Sequence, residues 1–432
     1  MLQIIQDAND FIWGIPLLFI LMGTHIYFTG KLHMPQRKIF YAIKISLGME
    51  DNDGNNLSPF STLATTLAAT LGTGNIIGVS TAVALGGPGA IFWCWITGIL
   101  GMATAYAECY LSVLFRNRRK DGAYVGGPMY VLQNGLHNKT LGAFYALCTI
   151  IAAFGVGCTT QANSVSQAAY ATFHISPHLI GILLAVTTGT VILGGVRAIG
   201  SLCERMVPAM SFVYLFGCIL LLVLYRKQLP SACAWILSDA FSFSSIAGGF
   251  VGSTLQLSLR YGIARGLFTN EAGIGTSSIA AAASGSHDPR HQAYVSMTAV
   301  FWDTVVMCLL TGLVIVSNIL YDPSSVQNVP STGLTSAAFS HLPYVGDAFL
   351  TVSLVAFAIT TLIGWSYFGE KATEYLIGNA GIPYYKLFYI VMIYFGAIIP
   401  MNLVWECTDL INGLMVLPNI IALYFLRRHI KS

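Results

Sequence analysis

The sequence predicts an all-α membrane protein with many spans, and three observations support this fold class. Charged residues make up 9% of the 432 residues, against roughly 25% in a typical soluble domain. Apolar residues make up 55%, and the mean hydropathy is +0.69. Residues 141–196 contain no Asp, Glu, Lys or Arg at all. Such a chain cannot build a water-soluble surface, which excludes a cytosolic enzyme, a nucleic-acid-binding protein and a disordered scaffold.

The apolar segments divide into eleven predicted membrane spans. A helix rises about 1.5 Å per residue, so about 20 residues cross a hydrocarbon core of about 30 Å. Residues 58–115 and 141–196 are each long enough for two spans, and the turn signals GGPG (86–89) and HISP (174–177) divide them. The seventh span is too long for one straight helix and is expected to contain a break or a surface segment. The predicted spans are 11–30, 60–85, 89–115, 141–171, 178–195, 205–225, 241–284, 292–319, 347–376, 384–400 and 403–426.

The distribution of basic residues predicts the orientation of these spans, because cytoplasmic loops carry an excess of Lys and Arg. With the N-terminus outside, the outer loops hold only Arg226 and Lys227, and Arg260 and Arg265 lie within the seventh span. We therefore expect a multi-pass plasma (inner) membrane protein with its N-terminus outside and its C-terminus cytoplasmic. The inner loops hold 17 of the 21 basic residues: Lys31, Arg37, Lys38, Lys44, Arg116, Arg118, Arg119, Lys120, Lys139, Arg197, Arg205, Arg290, Lys371, Lys386, Arg427, Arg428 and Lys431.

The spans are expected to form one transmembrane domain, built from a leading helix (11–30) and two groups of five helices. The groups cover 59–226 and 241–427, and because five is odd they insert with opposite orientations. The first span of each group is interrupted by glycines, in LGTGNIIG (71–78) and in YGIARGLFTNEAGIG (261–275). Interrupted spans at matched positions of inverted repeats indicate the binding site of a transporter.

These two interruptions suit the binding of a carboxylate and a cation. A break exposes N–H and C=O groups that lipid cannot satisfy. The N–H groups suit a carboxylate, and the carbonyl groups suit Na⁺. The alternative is close helix packing through the G-x-x-x-G spacings at 74–78 and 262–266. Two polar, glycine-rich breaks at matched positions favour binding.

The segments around the breaks resemble the alanine/glycine:cation symporter family, also called sodium:alanine symporters, of the amino acid–polyamine–cation superfamily. The resemblance implies the LeuT-type fold, with ten core helices in two inverted repeats, and uptake of a small neutral amino acid driven by Na⁺. Thr269 departs from the family pattern, in which serine is expected, and CTT at 158–160 is unusual. The segments that carry the resemblance are 71–79 (LGTGNIIGV), 86–93 (GGPGAIFW), 126–130 (GGPMY) and 265–275 (RGLFTNEAGIG).

The substrate site implied by this resemblance lies between the two breaks. Gly74 and Asn75 are expected to bind the substrate carboxylate through backbone N–H groups. Gln161, an amide in an uncharged span, either donates to the same carboxylate or bonds a neighbouring helix. Phe268 and Trp365 either close the pocket over a small side chain or serve ordinary helix packing. The predicted substrate-binding residues are Thr73, Gly74, Asn75, Gln161, Phe268, Thr269, Asn270 and Trp365.

A Na⁺ site is implied where the ninth span meets the first broken helix. Hydroxyl and carbonyl oxygens suit a hard cation, and Thr361 is the first choice on that span and Thr360 the second. The alternative is that these hydroxyls bond their own helix. The predicted Na⁺ residues are Thr70, Gly74, Thr360 and Thr361.

Six carboxylates that lie in or near the predicted spans need an explanation, because charge in a membrane is costly: Glu108, Glu204, Glu271, Asp303, Glu406 and Asp409. Glu271 is expected to be structural, pairing with Arg265 or with exposed N–H groups of the second break. Glu108 and Asp303 are the candidates for proton coupling.

The predicted function is secondary active transport rather than catalysis: import of alanine or glycine with Na⁺ by alternating access. The alternative is a proton-coupled amino-acid permease of the same fold. A channel would need a ring of charges or a repeated filter loop, and a membrane-embedded enzyme would need clustered catalytic residues; the sequence has neither pattern. The expected partners are the amino acid and membrane lipid, with no nucleic acid and no obligatory protein partner.

Overall fold

Helices make up most of the chain that the computed structural model describes, which is residues 9, 12–13, 15–48, 56–242, 253–399 and 401–431. The one sheet among these residues is an antiparallel hairpin of β1 (Asn117–Arg118) and β2 (Tyr124–Val125). The α-helices are α1 (Ile15–Lys31), α2 (Ile39–Ser46), α3 (Pro59–Thr70), α4 (Ile77–Gly86), α5 (Gly89–Leu114), α6 (Pro128–Tyr130), α7 (Lys139–Phe154), α8 (Thr160–Phe173), α9 (Pro177–Leu193), α10 (Gly195–Leu224), α11 (Leu229–Ala240), α12 (Ser253–Asn270), α13 (Ser277–Ala282), α14 (Pro289–Val300), α15 (Leu309–Tyr321), α16 (Leu334–Phe339), α17 (Gly346–Ile377), α18 (Ile382–Ile398) and α19 (Met401–Phe425).

The helix ends follow short-range signals in the sequence. Ser58 caps α3, since its Oγ accepts the Ser61 N–H at 2.9 Å, and proline follows at the first helical position. Ser176 caps α9 in the same way through the Leu179 N–H at 3.3 Å. Gly378 ends α17 with a φ of 83°, a left-handed conformation that favours glycine.

Six helical segments of the described residues are long and apolar enough to span a membrane. The bent pair α3 and α4 makes a seventh if it is counted as one span, and α9 and the segment Leu410–Phe425 are shorter apolar helices. The all-α membrane class is thus confirmed. The count of eleven spans, the two five-helix repeats and the orientation stay predictions, and residues 243–252 of the predicted seventh span lie outside the described residues.

Both predicted breaks are present as interruptions of helical structure. Between α3 and α4 the chain bends by 60°, through an extended Leu71 and a single 3-10 turn at Thr73–Asn75. Between α12 and α13 the backbone turns through positive φ angles at Glu271 (56°), Gly273 (96°) and Gly275 (94°). These conformations end α12 after Asn270, so the following side chains no longer keep helical spacing.

Two π-helical segments, which the sequence does not reveal, lie in the helices that flank the breaks. One is Gly155–Thr159, between α7 and α8, and the other is Phe301–Cys308, between α14 and α15. A π-segment inserts an extra residue into a turn and often occurs at functional sites. The second segment contains Asp303, whose side chain reaches the first break.

Four short helices of the described residues, α2, α6, α11 and α16, lie outside the predicted spans and were also not expected. The α11 helix packs against the start of α5, where Asp239 Oδ2 accepts the Gly89 N–H at 2.8 Å. The Trp93 indole donates to the Ala240 carbonyl at 3.1 Å. Through these contacts α11 covers the turn at 86–89.

Hydrogen bonds join the α5–β1 connection to the end of α13, which follows the second break. The Arg116 guanidinium donates to the carbonyls of Ala282 (3.1 Å), Ser284 (2.6 Å) and Ser286 (2.8 Å). The Leu57 N–H also donates to the Ala283 carbonyl at 3.1 Å. The predicted orientation would place these contacts at the cytoplasmic end of the molecule.

Candidate substrate and ion site

The first break is stabilised by two polar side chains. The Gly72 N–H donates to Asn75 Oδ1 at 3.0 Å, and the Thr73 N–H donates to Gln161 Oε1 at 3.3 Å. The Asn75 N–H itself donates to the Gly72 carbonyl at 3.2 Å. Gln161 therefore contacts the break directly. Its amide nitrogen donates to the Val156 carbonyl at 3.1 Å, in the π-segment that precedes α8.

Thr361 joins α17 to the first break, whereas Thr360 does not. The Thr361 hydroxyl lies 3.1 Å from the Leu71 carbonyl and 2.9 Å from the Phe357 carbonyl. The Thr360 hydroxyl bonds the carbonyls of its own helix and lies 3.3 Å from Met210 Sδ. Successive helical residues differ by about 100° in direction, since a turn takes 3.6 residues, so only one of the two threonines faces the break.

Replacing Thr361 with valine is expected to raise the half-saturating Na⁺ concentration for uptake roughly ten-fold. Valine has the same shape but removes an oxygen that a hard cation would use, and hydrogen bonds to charged groups contribute about 1.5–3 kcal/mol. The measurement is uptake of labelled alanine as a function of external Na⁺.

Thr360→Val is the matched comparison, since it makes the same substitution one residue away. We expect it to change the half-saturating Na⁺ concentration by less than about three-fold, because its hydroxyl is bonded within the helix. Equal Na⁺ dependence in the two variants would contradict the role of Thr361.

The second break packs directly against the first. A Cβ atom on Gly74 would lie 3.1 Å from Thr269 Cγ2 and 3.6 Å from Phe268 Cδ1, so only glycine leaves the present spacing undisturbed. The Thr269 hydroxyl bonds the carbonyls of Gly266 (3.0 Å) and Arg265 (3.2 Å) within α12. The extra methyl group of this threonine, relative to the expected serine, is thus the atom nearest to Gly74.

A small cavity lies where the two breaks meet. Its volume is about 10 Å³, which is room for about one water molecule. The Thr70 hydroxyl in its wall is buried without a hydrogen-bond partner, as is the Thr73 hydroxyl nearby. Unpartnered buried polar atoms are rare, so these two hydroxyls make the cavity a candidate ligand site. The lining residues are Ala69, Thr70, Gly72, Gly74, Val156, Gln161, Phe268, Thr269, Glu271 and Thr361.

A larger vestibule of about 420 Å³ lies on the other side of Phe268, which is the one lining residue that the vestibule and the cavity share. Gly78 on α4 and Arg260 and Arg265 on α12 line it. The Arg265 guanidinium lies 5.0 Å from the centre of the Phe268 ring. Phe268 thus separates an open chamber from the small cavity.

Asp303 connects the two breaks through a chain of hydrogen bonds. Asn75 Nδ2 donates to Asp303 Oδ1 at 2.7 Å, and the Thr304 hydroxyl donates to Asp303 Oδ2 at 2.7 Å. Asn270 Nδ2 donates in turn to the Thr304 hydroxyl at 3.1 Å. The carboxylate is fully buried, and it holds Asn75 and Asn270 in fixed positions relative to each other.

Glu108 performs a similar function on the far side of the second break. Its Oε1 accepts the Gly273 N–H at 2.8 Å and Asn419 Nδ2 at 2.6 Å. Asn419 Nδ2 also donates to the Gly273 carbonyl at 2.9 Å. Glu108 therefore ties the break to α5 and α19, outside the cavity lining.

The structure brings some predicted residues to the cavity and leaves others around it. Thr70, Gly74, Gln161, Phe268, Thr269 and Thr361 line the cavity. Thr73, Asn75, Asn270, Thr360 and Trp365 are buried close by but are not among its lining residues. Sequence reasoning missed Glu271 as a lining residue, because it paired Glu271 with Arg265. The Arg265 side chain instead lies against Phe268 and Gly78.

The fold and this cavity define a class of protein: a multi-pass membrane transporter whose interrupted helices meet at a buried polar site. The sequence model of the sodium:alanine symporter family matches residues 1–432, and the chain belongs to that family.

Two relatives match over nearly the whole chain. The sodium/alanine symporter AgcS of Methanococcus maripaludis is 40% identical over 98% of this chain and 94% of its own length. The probable sodium/glutamine symporter GlnT of Bacillus subtilis is 33% identical over 99% of this chain and 88% of its own length.

The solved structure of MhsT in complex with L-phenylalanine has a similar fold. The TM-score is 0.59, with 16% identity over 86% of this chain and 89% of that chain. The likeness confirms the LeuT-type fold that the resemblance implied.

Proposed function

We propose that this protein imports alanine or glycine together with Na⁺ across the plasma membrane by alternating access. The observation that carries the proposal is the meeting of three elements at one cavity: the first break, the second break and the Thr361 hydroxyl, 3.1 Å from the Leu71 carbonyl. The name of the AgcS relative, a sodium/alanine symporter, supports Na⁺ and alanine as the transported pair.

Coupling between Na⁺ and the amino acid follows from the shared first break. Na⁺ at Thr361 and the Leu71 carbonyl would order the extended residues that precede Gly74. The break would then hold the Gly74 N–H ready for the substrate carboxylate. The neighbouring Thr73 and Asn75 N–H groups already donate to Gln161 Oε1 and to the Gly72 carbonyl, so the expected role of the Asn75 N–H is wrong in this conformation. By linkage, the amino acid must raise the affinity for Na⁺ by the same factor.

The size of the cavity favours a small substrate. At about 10 Å³ it must widen even for alanine, and Phe268 and Thr269 form the wall that would move. The name of the GlnT relative gives glutamine, a larger amino acid, as its substrate. In this chain we expect Phe268 and Thr269 to limit the size of the substrate. Trp365, packed against Gly157, would limit movement from the side of α8.

Replacing Phe268 with alanine is expected to broaden the substrate range. The smaller side chain joins the cavity to the vestibule, because the half-buried Phe268 ring lines both of them. We expect glutamine to inhibit labelled alanine uptake at a concentration roughly ten-fold lower than in the wild type, which corresponds to about 1.4 kcal/mol.

Phe216→Ala is the control for Phe268→Ala, because the Phe216 ring is 51% exposed on α10, far from the cavity lining. Its inhibition profile should match the wild type. An unchanged profile for Phe268→Ala would show that this ring does not select substrate size.

The proposal is tested by uptake of labelled alanine into proteoliposomes with Na⁺, Li⁺ or choline outside, with and without an imposed potential. We expect uptake in Na⁺ and little uptake in choline. Equal uptake in choline, abolished by a protonophore, would instead support the proton-coupled permease.

A further inference from the structure

We propose that the Glu271 carboxylate accepts the α-ammonium group of the amino-acid substrate. This assignment rests on the proposed function. That function places the substrate carboxylate at the first break, and the assignment adds a partner for the positive charge of the same zwitterion. It gives Glu271 a binding role in place of the structural pairing with Arg265 that the sequence suggested.

Glu271 lies in the wall of the cavity between the breaks. It is 2% exposed and lines the cavity together with Gly72, Gly74 and Gln161 from the opposite side. Glu271 directly follows the last residue of α12. Its backbone has a φ of 56°, a left-handed conformation that is uncommon for a non-glycine residue. The first break and Glu271 therefore face one small space.

The charge of Glu271 is not balanced by any lysine or arginine in this wall. The cavity lining contains no basic residue, and Glu271 is its only carboxylate. The hydrogen bond found for its side chain comes from the Thr276 hydroxyl. The Trp365 indole N–H lies close to the carboxylate and can donate a second hydrogen bond to it. A buried carboxylate stays ionised only where hydrogen-bond donors or a cation compensate its charge. Glu271 lines the cavity, where a cationic group of the substrate can reach it.

An ammonium group suits this position better than the coupling ion does. Na⁺ prefers several oxygen ligands from hydroxyl and carbonyl groups, and such oxygens lie together at Thr361 on α17 and Leu71 on the first break. A zwitterion bound with its carboxylate at the first break extends its ammonium group across the cavity, towards the second break. A charge-assisted hydrogen bond from ammonium to carboxylate is among the stronger polar contacts in proteins.

The test is the affinity of purified Glu271→Gln for L-alanine, measured by calorimetry at saturating Na⁺. We expect binding at least about 30-fold weaker than in the wild type, since loss of one partner from a buried charge pair costs about 2–5 kcal/mol. Wild-type protein should prefer alanine strongly over lactate, which carries a hydroxyl in place of the ammonium group. That preference should shrink in Glu271→Gln. The half-saturating Na⁺ concentration for thermal stabilisation without alanine should stay within about three-fold.

Glu108→Gln is the matched control, because it removes a buried carboxylate from the same break outside the cavity lining. Its amide oxygen can still accept the Gly273 N–H, so alanine affinity should stay within about three-fold of the wild type. A comparable loss in both variants, or a loss of the Na⁺ response in Glu271→Gln, would overturn the assignment.

The outcome also separates this assignment from the proposed function. Wild-type protein that binds no alanine or glycine in Na⁺ would overturn the proposed function, and the assignment with it. Wild-type binding that Glu271→Gln leaves unchanged would overturn the assignment alone.

Discussion

Replacing Gly74 with leucine is expected to reduce alanine uptake to below about 1% of the wild-type rate. A Cβ atom at this position already lies 3.1 Å from Thr269 Cγ2, and the rest of the leucine side chain would fill the cavity. Overpacking costs about 1–3 kcal/mol even where no ligand is displaced. Labelled alanine uptake in proteoliposomes is the measurement, with protein amount and melting temperature recorded for each variant.

Gly23→Leu is the control for this substitution. Gly23 lies in α1, and a Cβ atom there would meet no other atom within 4 Å, so uptake should remain near the wild-type rate. Gly74→Ala should be intermediate, since only the 3.1 Å contact has to relax. Wild-type transport by Gly74→Leu would contradict the placement of the substrate at the first break.

Replacing Asp303 with alanine is expected to have a similarly large effect and to lower both alanine uptake and the stability of the protein. The substitution removes the acceptors of Asn75 Nδ2 and the Thr304 hydroxyl, both 2.7 Å away. Removing a charged acceptor costs about 1.5–3 kcal/mol for each bond. We expect uptake to fall at least about 30-fold and the melting temperature to fall by several degrees.

Asp303→Asn separates a positioning role from proton coupling. Asparagine keeps an oxygen that can accept from Asn75, and its amide nitrogen can donate to Thr304. Under the positioning role it should recover uptake to within about ten-fold of the wild type. If Asp303 carried a coupled proton, Asp303→Asn would be as inactive as Asp303→Ala, and uptake would depend on a proton gradient.

The membrane class and the two breaks could be predicted from the sequence because each depends on a local property. Scarce charge identifies lipid as the solvent, and glycines within an apolar segment locate the interruptions near Gly74 and Gly273. The close approach of Thr361 to the first break agreed with the implied Na⁺ site, although the resemblance, rather than the residue spacing, suggested it.

The remaining features depend on the direction in which a side chain points and on contacts between residues far apart in the chain. Neither can be read from a local segment of the sequence. Nothing in it distinguishes Thr360 from Thr361, because a rotation of about 100° decides which hydroxyl faces the break. The partner of Asp303 depends on a π-segment that changes the direction of its side chain. Glu271 was expected to pair with Arg265 or with exposed N–H groups of the second break, but the positive φ angles at Glu271, Gly273 and Gly275 direct its side chain to the cavity wall.

The central claim is that Na⁺ and the amino acid bind to one shared site formed by the two breaks. Its most direct test is the dissociation constant of L-alanine at low and at saturating Na⁺, measured together with the half-saturating Na⁺ concentration with and without alanine. The account predicts that each ligand raises the affinity for the other by the same factor, of roughly 5–150-fold. Alanine affinity that does not depend on Na⁺ would contradict it.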